Sequence, residues 1–172
     1  MKYPVRILAS LVVVCWALTL QVFTQTTAPQ SAPAQKEAPA MNHASGPFDV
    51  KVVKQEDAGG DTSVGRFTLD KQYHGDLEAT GKGQMLTAST GVKGSGAYVA
   101  IERVEGALKG REGGFALQHM GTMAQNVPTL MINIVPDSGT GQLKGISGKM
   151  NITIAADGKH TYELEYTLPS GN

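Results

Sequence analysis

From about residue 47 onward, apolar and polar positions alternate with a period of two rather than 3.6. The clearest run is "TYELEYTL", in which Tyr162, Leu164, Tyr166 and Leu168 alternate with Thr161, Glu163, Glu165 and Thr167. This is the pattern of a strand with one buried and one wet face. "MNITI" repeats it with Met150, Ile152 and Ile154, and "AADGKH" joins the two runs into a hairpin. A two-residue turn at Asp157 and Gly158 would set Ile152 opposite Glu163. A three-residue loop of Ala156, Asp157 and Gly158 instead aligns Ile152 with Tyr162 and Met150 with Leu164. Cross-strand pairing of apolar side chains favours the second register, with Gly158 in the left-handed position of a type I turn with a glycine bulge.

Further strand candidates are "PFDVKVV", "SVGRFTLDKQYHG", "DLEATGKGQMLTAS", "GAYVAIERVEGALKG", "GGFALQHMG", "TLMINIVP" and "GTGQLKG". Strands this closely spaced, with Gly-rich turns and no helical stretch, predict an all-β sandwich or barrel. A frame G-x-L-K-G-x-x-G occurs twice, at Gly106 to Gly113 and Gly141 to Gly148. Neither copy has the strand-to-helix context of a phosphate loop or dinucleotide fingerprint. Glycine at fixed places in short strands suits bends and close backbone approach in a small closed sheet. At least one of Gly110 and Gly145 is therefore expected to need a left-handed or closely packed backbone.

The first residues follow other rules. Lys2 and Arg6 precede an apolar run from Ile7 to Leu20, which is the layout of a cleaved export signal and is short for a membrane-spanning helix. Residues 24–46 are rich in Pro, Ala, Gln, Ser and Thr, too poor in apolar surface to offset the entropy of ordering. The expected organisation is a signal segment over 1–24, a disordered linker over 25–46 and a β-barrel domain over 47–172, in an exported protein that is periplasmic or secreted. The membrane would be met only through an uncleaved signal. The one cysteine is Cys15, so the mature domain relies on its core rather than on disulfides. From residue 47 onward there are 12 Lys plus Arg and 14 Asp plus Glu, a balance of 12 − 14 = −2. With no basic stripe, nucleic acid is not expected as a partner.

Several separated motifs carry a resemblance. "FTLDKQYHGDLEATGKGQML", "GSGAYVAIERVEGALKGREGGFALQHMG", "VPDSGTGQLKGISG" and "GKHTYELEYTL" resemble, in order and from Phe48 to Leu168, an uncharacterised bacterial family, a domain of unknown function. Its members are similar to the barrel of plant allene oxide cyclases and dirigent proteins. The resemblance implies a single antiparallel, calycin-like β-barrel of about eight strands, oligomeric in many plant relatives. It does not extend to cyclase chemistry, because none of the cyclase catalytic motifs can be matched residue by residue.

Barrels of this size are filled by side chains or shaped around one small ligand, so inward-facing polar residues matter most. A turn over Gly110 to Gly113 would align Leu108 with Phe115 and Val104 with His119. Phe115, Leu117 and His119 then share a face with Tyr98, Ala100, Glu102 and Val104, and Glu102 lies diagonal to His119. A carboxylate and an imidazole in an apolar cavity can work as an acid and base. They can equally satisfy each other as a buried pair, or Glu102 can face solvent if Val99 and Ile101 are the inward set. The candidate ligand-binding residues are Tyr98, Glu102, Phe115, Leu117 and His119, with Glu102 and His119 as the candidate catalytic pair. His43, His74, His119 and His160 show no metal-ligand spacing, so no metal and no cofactor are expected. His74 and His160, beside turns, are read as solvated. Met120, Met123 and Met131 are read as core or as the lining of an adaptable pocket. No serine lies in a nucleophile-elbow context.

Three functions stay open at this point. The first is a non-enzymatic binding or accessory barrel for a small apolar ligand, alone or with a second copy of itself. The second is an isomerase or cyclase acting on a hydrophobic substrate through Glu102 and His119. The third is a structural interaction module with a filled interior.

Overall fold

The computed structural model describes residues 40–56, 60 and 63–169. The expected signal segment, Cys15 and the linker up to residue 39 lie outside the described residues.

Eight strands follow one another: β1 (Asn42–Gln55), β2 (Val64–Tyr73), β3 (Leu77–Ser89), β4 (Gly96–Leu108), β5 (Arg111–Ala124), β6 (Val127–Ile134), β7 (Ser147–Ile154) and β8 (His160–Thr167). Each pairs antiparallel with the next, and β8 pairs with β1 to close the barrel. The all-β prediction therefore holds. The β7–β8 register is the one expected, with Ile152 opposite Tyr162, Met150 opposite Leu164 and Gly158 at φ 84°.

Three expectations are corrected. First, β1 begins at Asn42, inside the stretch read as linker, and Ala44 is buried opposite Leu164. The small residues that made this stretch look unstructured are needed there, because a Cβ on Gly46 would collide with the His74 carbonyl oxygen.

Second, the β4–β5 turn is Lys109–Gly110, with φ of 47° and 78°, the positive values of a tight type I′ hairpin. Leu108 consequently faces Arg111, Val104 faces Phe115 and Ala100 faces His119. The expected partner of Leu108 moves from 115 to 111, an even slip of four, so every side chain keeps its face.

Third, "GTGQLKG" is no strand. Gly141–Leu143 form a short 3-10 turn in the β6–β7 connection. This connection bonds to the part of β5 that β6 does not reach: the Thr140 N–H donates to the Gly114 carbonyl at 2.8 Å, and the Ala116 N–H to the Ser138 hydroxyl at 3.0 Å. The two glycine frames nevertheless share a device. Gly110 and Gly145 have φ of 78° and 81°, and in both copies the leucine is buried and the lysine exposed.

These connections divide the interior. At the end bearing the β6–β7 connection, Leu143 and Ile146 plug the barrel above a core that includes Phe48, Tyr73, Leu77, Val104, Leu108, Phe115, Leu117, Tyr162 and Tyr166. The Tyr162 hydroxyl accepts from the Leu77 N–H at 2.8 Å and donates to the His74 carbonyl at 3.1 Å; burial pushes its pKa up to about 12.

The opposite end is built differently, because β8 begins only opposite Phe48 of β1 and β7 parts from β6 beyond Met150. Only Asn42–Phe48 of β1 pair with β8, and only Ile132 and Asn133 of β6 pair with β7. Among the described residues, Asp49–Gln55 and Val127–Met131 therefore lack a partner on that side. Their register still points Val52 and Leu130 inward, alongside Phe67, Met85, Tyr98 and Met123. Yet Val52, Met123 and Leu130 are 48%, 41% and 42% exposed, and Phe67, Met85 and Tyr98 are half-buried. Inward-facing apolar side chains that remain wet mark an interior that is open rather than filled.

Candidate functional site

Between the plugged core and the open end lies a layer of charge. Glu102 is fully buried (0% exposed), with His119 at 3% and Lys71 at 6%. Charged side chains are almost never buried this deeply unless paired, and here the pairing crosses strands. Glu102 sits on β4 and Lys71 on β2, with β3 between them. On β3 the positions opposite Leu69 and Lys71 are Gly83 and Gly81. Gly83 in turn faces Glu102 and Gly81 faces Val104. With no side chains in the way, the Glu102 chain lies across β3 and reaches β2: a Cβ on Gly81 would collide with its Oε1 and approach the Tyr73 ring.

The carboxylate is well bonded. Lys71 Nζ donates to Oε2 at 2.7 Å, and the Tyr73 hydroxyl donates to Oε1 at 2.8 Å. Lys71 Nζ also lies 3.2 Å from the Tyr73 oxygen and 5.1 Å from the centre of the Phe48 ring, a cation held by a charge and a π-face together. His119 Nε2 is 3.2 Å from Glu102 Oε2. That is ion-pair distance, but off the line that a hydrogen bond requires. Among the described residues it is a buried side-chain nitrogen with no hydrogen-bond partner.

Burial alone would push the Glu102 carboxyl up; the opposing pull of His119 and Lys71 is greater and holds it below the ordinary glutamate range. Glu102 is therefore a carboxylate at neutral pH. Burial, reinforced by the Glu102 charge and the hydrogen bond to it, drives the Tyr73 hydroxyl far above its ordinary value, so Tyr73 serves as a fixed donor rather than a proton source. Tyr98, also raised by burial, lies in the open half opposite Gly121, whose missing side chain gives its ring a seat.

The structure thus brings Glu102 and His119 together as expected, and keeps Tyr98 on the same inward face. Phe115 and Leu117 share that face but lie in the plugged core at 0% exposure. The alternative in which Val99 and Ile101 turn inward is overturned, since they are 51% and 55% exposed. Sequence reasoning missed Lys71 and Tyr73. The alternation Phe67, Leu69, Lys71, Tyr73 was the available signal for both. It also misplaced His160, which faces inward and packs on Phe48 at 5.1 Å between ring centres. Met120 and Met131 are neither core nor pocket: they face each other across β5 and β6 on the outer wall, 46% and 47% exposed. With Leu86 and Val99 they form one continuous cross-strand row, which borders an outer groove of about 580 Å³ lined in part by Arg66, Gln84 and Gln118.

A family described as a protein of unknown function, DUF3224, matches residues 44–166. The chain belongs to the DUF3224 family. The match starts two residues into β1 and ends within β8, so the whole closed barrel is the DUF3224 domain. A solved structure of a DUF3224 protein with unknown function from Shewanella oneidensis MR-1 is 45% identical; the alignment covers 76% of this chain and 100% of that one, with a TM-score of 0.70. No curated protein matches the chain.

Proposed function

We propose that this DUF3224 barrel is a non-enzymatic binding module that holds a small, largely apolar molecule in its open half. The observation that carries this reading is the half-exposed inward set of Val52, Phe67, Met85, Tyr98, Met123 and Leu130, ending on a charged layer in which His119 Nε2 has no hydrogen-bond partner among the described residues. Pockets with apolar walls and a few converging polar groups are typical ligand sites. Kinship with the allene oxide cyclase and dirigent barrels belongs to the same proposal and rests on the motifs, as does export, which rests on the first 24 residues. Native mass spectrometry of the full chain purified from its host tests it. A stoichiometric small molecule, lost when Tyr98 or Leu130 is replaced by lysine, is the expected result. An empty protein that also fails to take up apolar probes such as 1-anilinonaphthalene-8-sulfonate would count against it.

An acid and base role for Glu102 and His119 is the second reading. It is favoured by their 3.2 Å approach but weakened by the ties of Glu102 to Lys71 and Tyr73, which leave the carboxylate little freedom to take up a proton.

The outer row of Leu86, Val99, Met120 and Met131 supports self-association as part of the proposal, since aligned exposed apolar residues mark interaction surfaces. Sedimentation velocity should show an oligomer that Val99→Lys dissociates. A monomer in the unaltered protein would remove this part.

A further inference from the structure

Tyr98 brings an unused hydrogen-bonding group among the apolar walls of the open half. It lies inward on β4, half-buried, opposite Thr87 on β3 and Gly121 on β5. A Cβ on Gly121 would collide with Tyr98 Cε1 and come within 2.8 Å of Cδ1 and Cζ, so the ring is seated against β5 where that glycine leaves room. Its hydroxyl has no hydrogen-bond partner among the described residues. Burial raises its pKa above the ordinary tyrosine value, so at neutral pH it keeps its proton and can donate.

The other polar side chains at inward positions of this half are accounted for. Thr87 donates to the Gly65 carbonyl at 3.4 Å, Glu102 is held by Lys71 and Tyr73, and His119 Nε2 sits against Glu102. His160 meets the Phe48 ring. Lys54 and Ser89 stand exposed at the rim, where Glu56 and Lys93 of the adjoining loops are exposed too, so both signs of charge are present there and water reaches them. The unpaired backbone groups along β1 and β6 lie in the plane of the wall rather than across the interior.

Lys71 and Glu102 neutralise each other at the floor, and the walls are Val52, Phe67, Met85, Met123 and Leu130. A charged group brought among those walls would lose its hydration without an unpaired counter-charge on them to meet it. A neutral oxygen loses far less and recovers it from one donor. A plain hydrocarbon covering Tyr98 would instead strip water from the hydroxyl and leave it unpaired. Resting on the binding reading above, we infer that the occupant of the open half is an uncharged molecule with a hydrogen-bond acceptor, a carbonyl on an apolar chain or ring, selected by the Tyr98 hydroxyl.

NMR titration of the full chain at neutral pH with butyrophenone, butylbenzene, 4-phenylbutyrate and 4-phenylbutylamine, which share one carbon count, tests this. Butyrophenone should bind more tightly than either charged molecule. Tyr98→Phe keeps the ring on Gly121 and removes only the hydroxyl; it should lower the ratio of butyrophenone to butylbenzene affinity about fivefold. The infrared carbonyl stretch of bound butyrophenone should lie lower in the unaltered protein than in Tyr98→Phe, a difference that a general loosening of the barrel would not produce. An unchanged ratio, or a carbonyl stretch that Tyr98→Phe does not move, would overturn the assignment of the acceptor to Tyr98 while leaving the apolar-binding reading in place. Tighter binding of the carboxylate or the amine than of the ketone would overturn the uncharged class in the same way. Failure of all four to bind would overturn both readings.

Discussion

Glu102→Gln should destabilise the barrel by about 3 to 5 kcal/mol, because it leaves the Lys71 ammonium buried without its counter-charge. The amide can still accept from Tyr73, so shape is kept and charge alone is lost. Lys71→Met should cost a similar amount for the mirror reason. Lys71→Met combined with Glu102→Gln should recover most of the loss, since a buried pair replaced on both sides avoids the unpaired charge. Urea unfolding of the four proteins measures this coupling. A Glu102→Gln loss below about 1 kcal/mol, the range of solvent-screened pairs, would mean that water reaches the layer freely.

The same cycle has a pH signature. The folded-state pKa of Glu102 lies below the unfolded value, so the unfolded chain binds more protons in that range. The ion pair thus contributes its full stability above the ordinary glutamate range and loses it as pH falls through the lower folded value. The stability gap between the unaltered protein and Glu102→Gln should therefore be widest near neutrality and narrow in acid. A gap that widened in acid would contradict the assignment of Glu102 as a carboxylate.

Much of the barrel was legible because one residue in two is apolar along nearly every strand. The Met150 to Leu164 and Ile152 to Tyr162 pairs fixed a hairpin register on side-chain chemistry alone. The β4–β5 hairpin was harder, because Gly110, Gly113 and Gly114 offer more than one place to turn. Its face survived because the competing registers differ by an even number of residues. What pattern could not give was Lys71. A lysine is read as solvated unless a partner is in view, and its partner is 31 residues away on a strand that is not its neighbour. The open end was hidden as well. Val52 and Leu130 follow the inward alternation like any core residue, and what exposes them is the late start of β8 and the parting of β7 from β6.

The glycines of β3, which lie outside both repeated frames, make room for the charged layer and yield the sharpest steric prediction. Gly81 lies between β2 and β4 where the Glu102 side chain passes, and even a Cβ there would collide with Glu102 Oε1 and come within 3.0 Å of both its Cδ and the Tyr73 ring. Valine adds two further carbons in a space with no slack, and overpacking of this kind costs about 3 kcal/mol. Glu102 can yield only by leaving Lys71 and Tyr73, so the strain should pass directly into the ion pair. Gly81→Val should therefore lose stability on its own but lose much less in the Lys71→Met, Glu102→Gln background, where no charge pair remains to be broken. Gly110→Val is the control: nothing lies within 4 Å of a Cβ at that turn, and only its φ of +78° is offended, so its cost should be the same in both backgrounds. If the cost of Gly81→Val is also unchanged between them, Glu102 does not cross β3 at that glycine, and the route joining β4 to Lys71 must be redrawn.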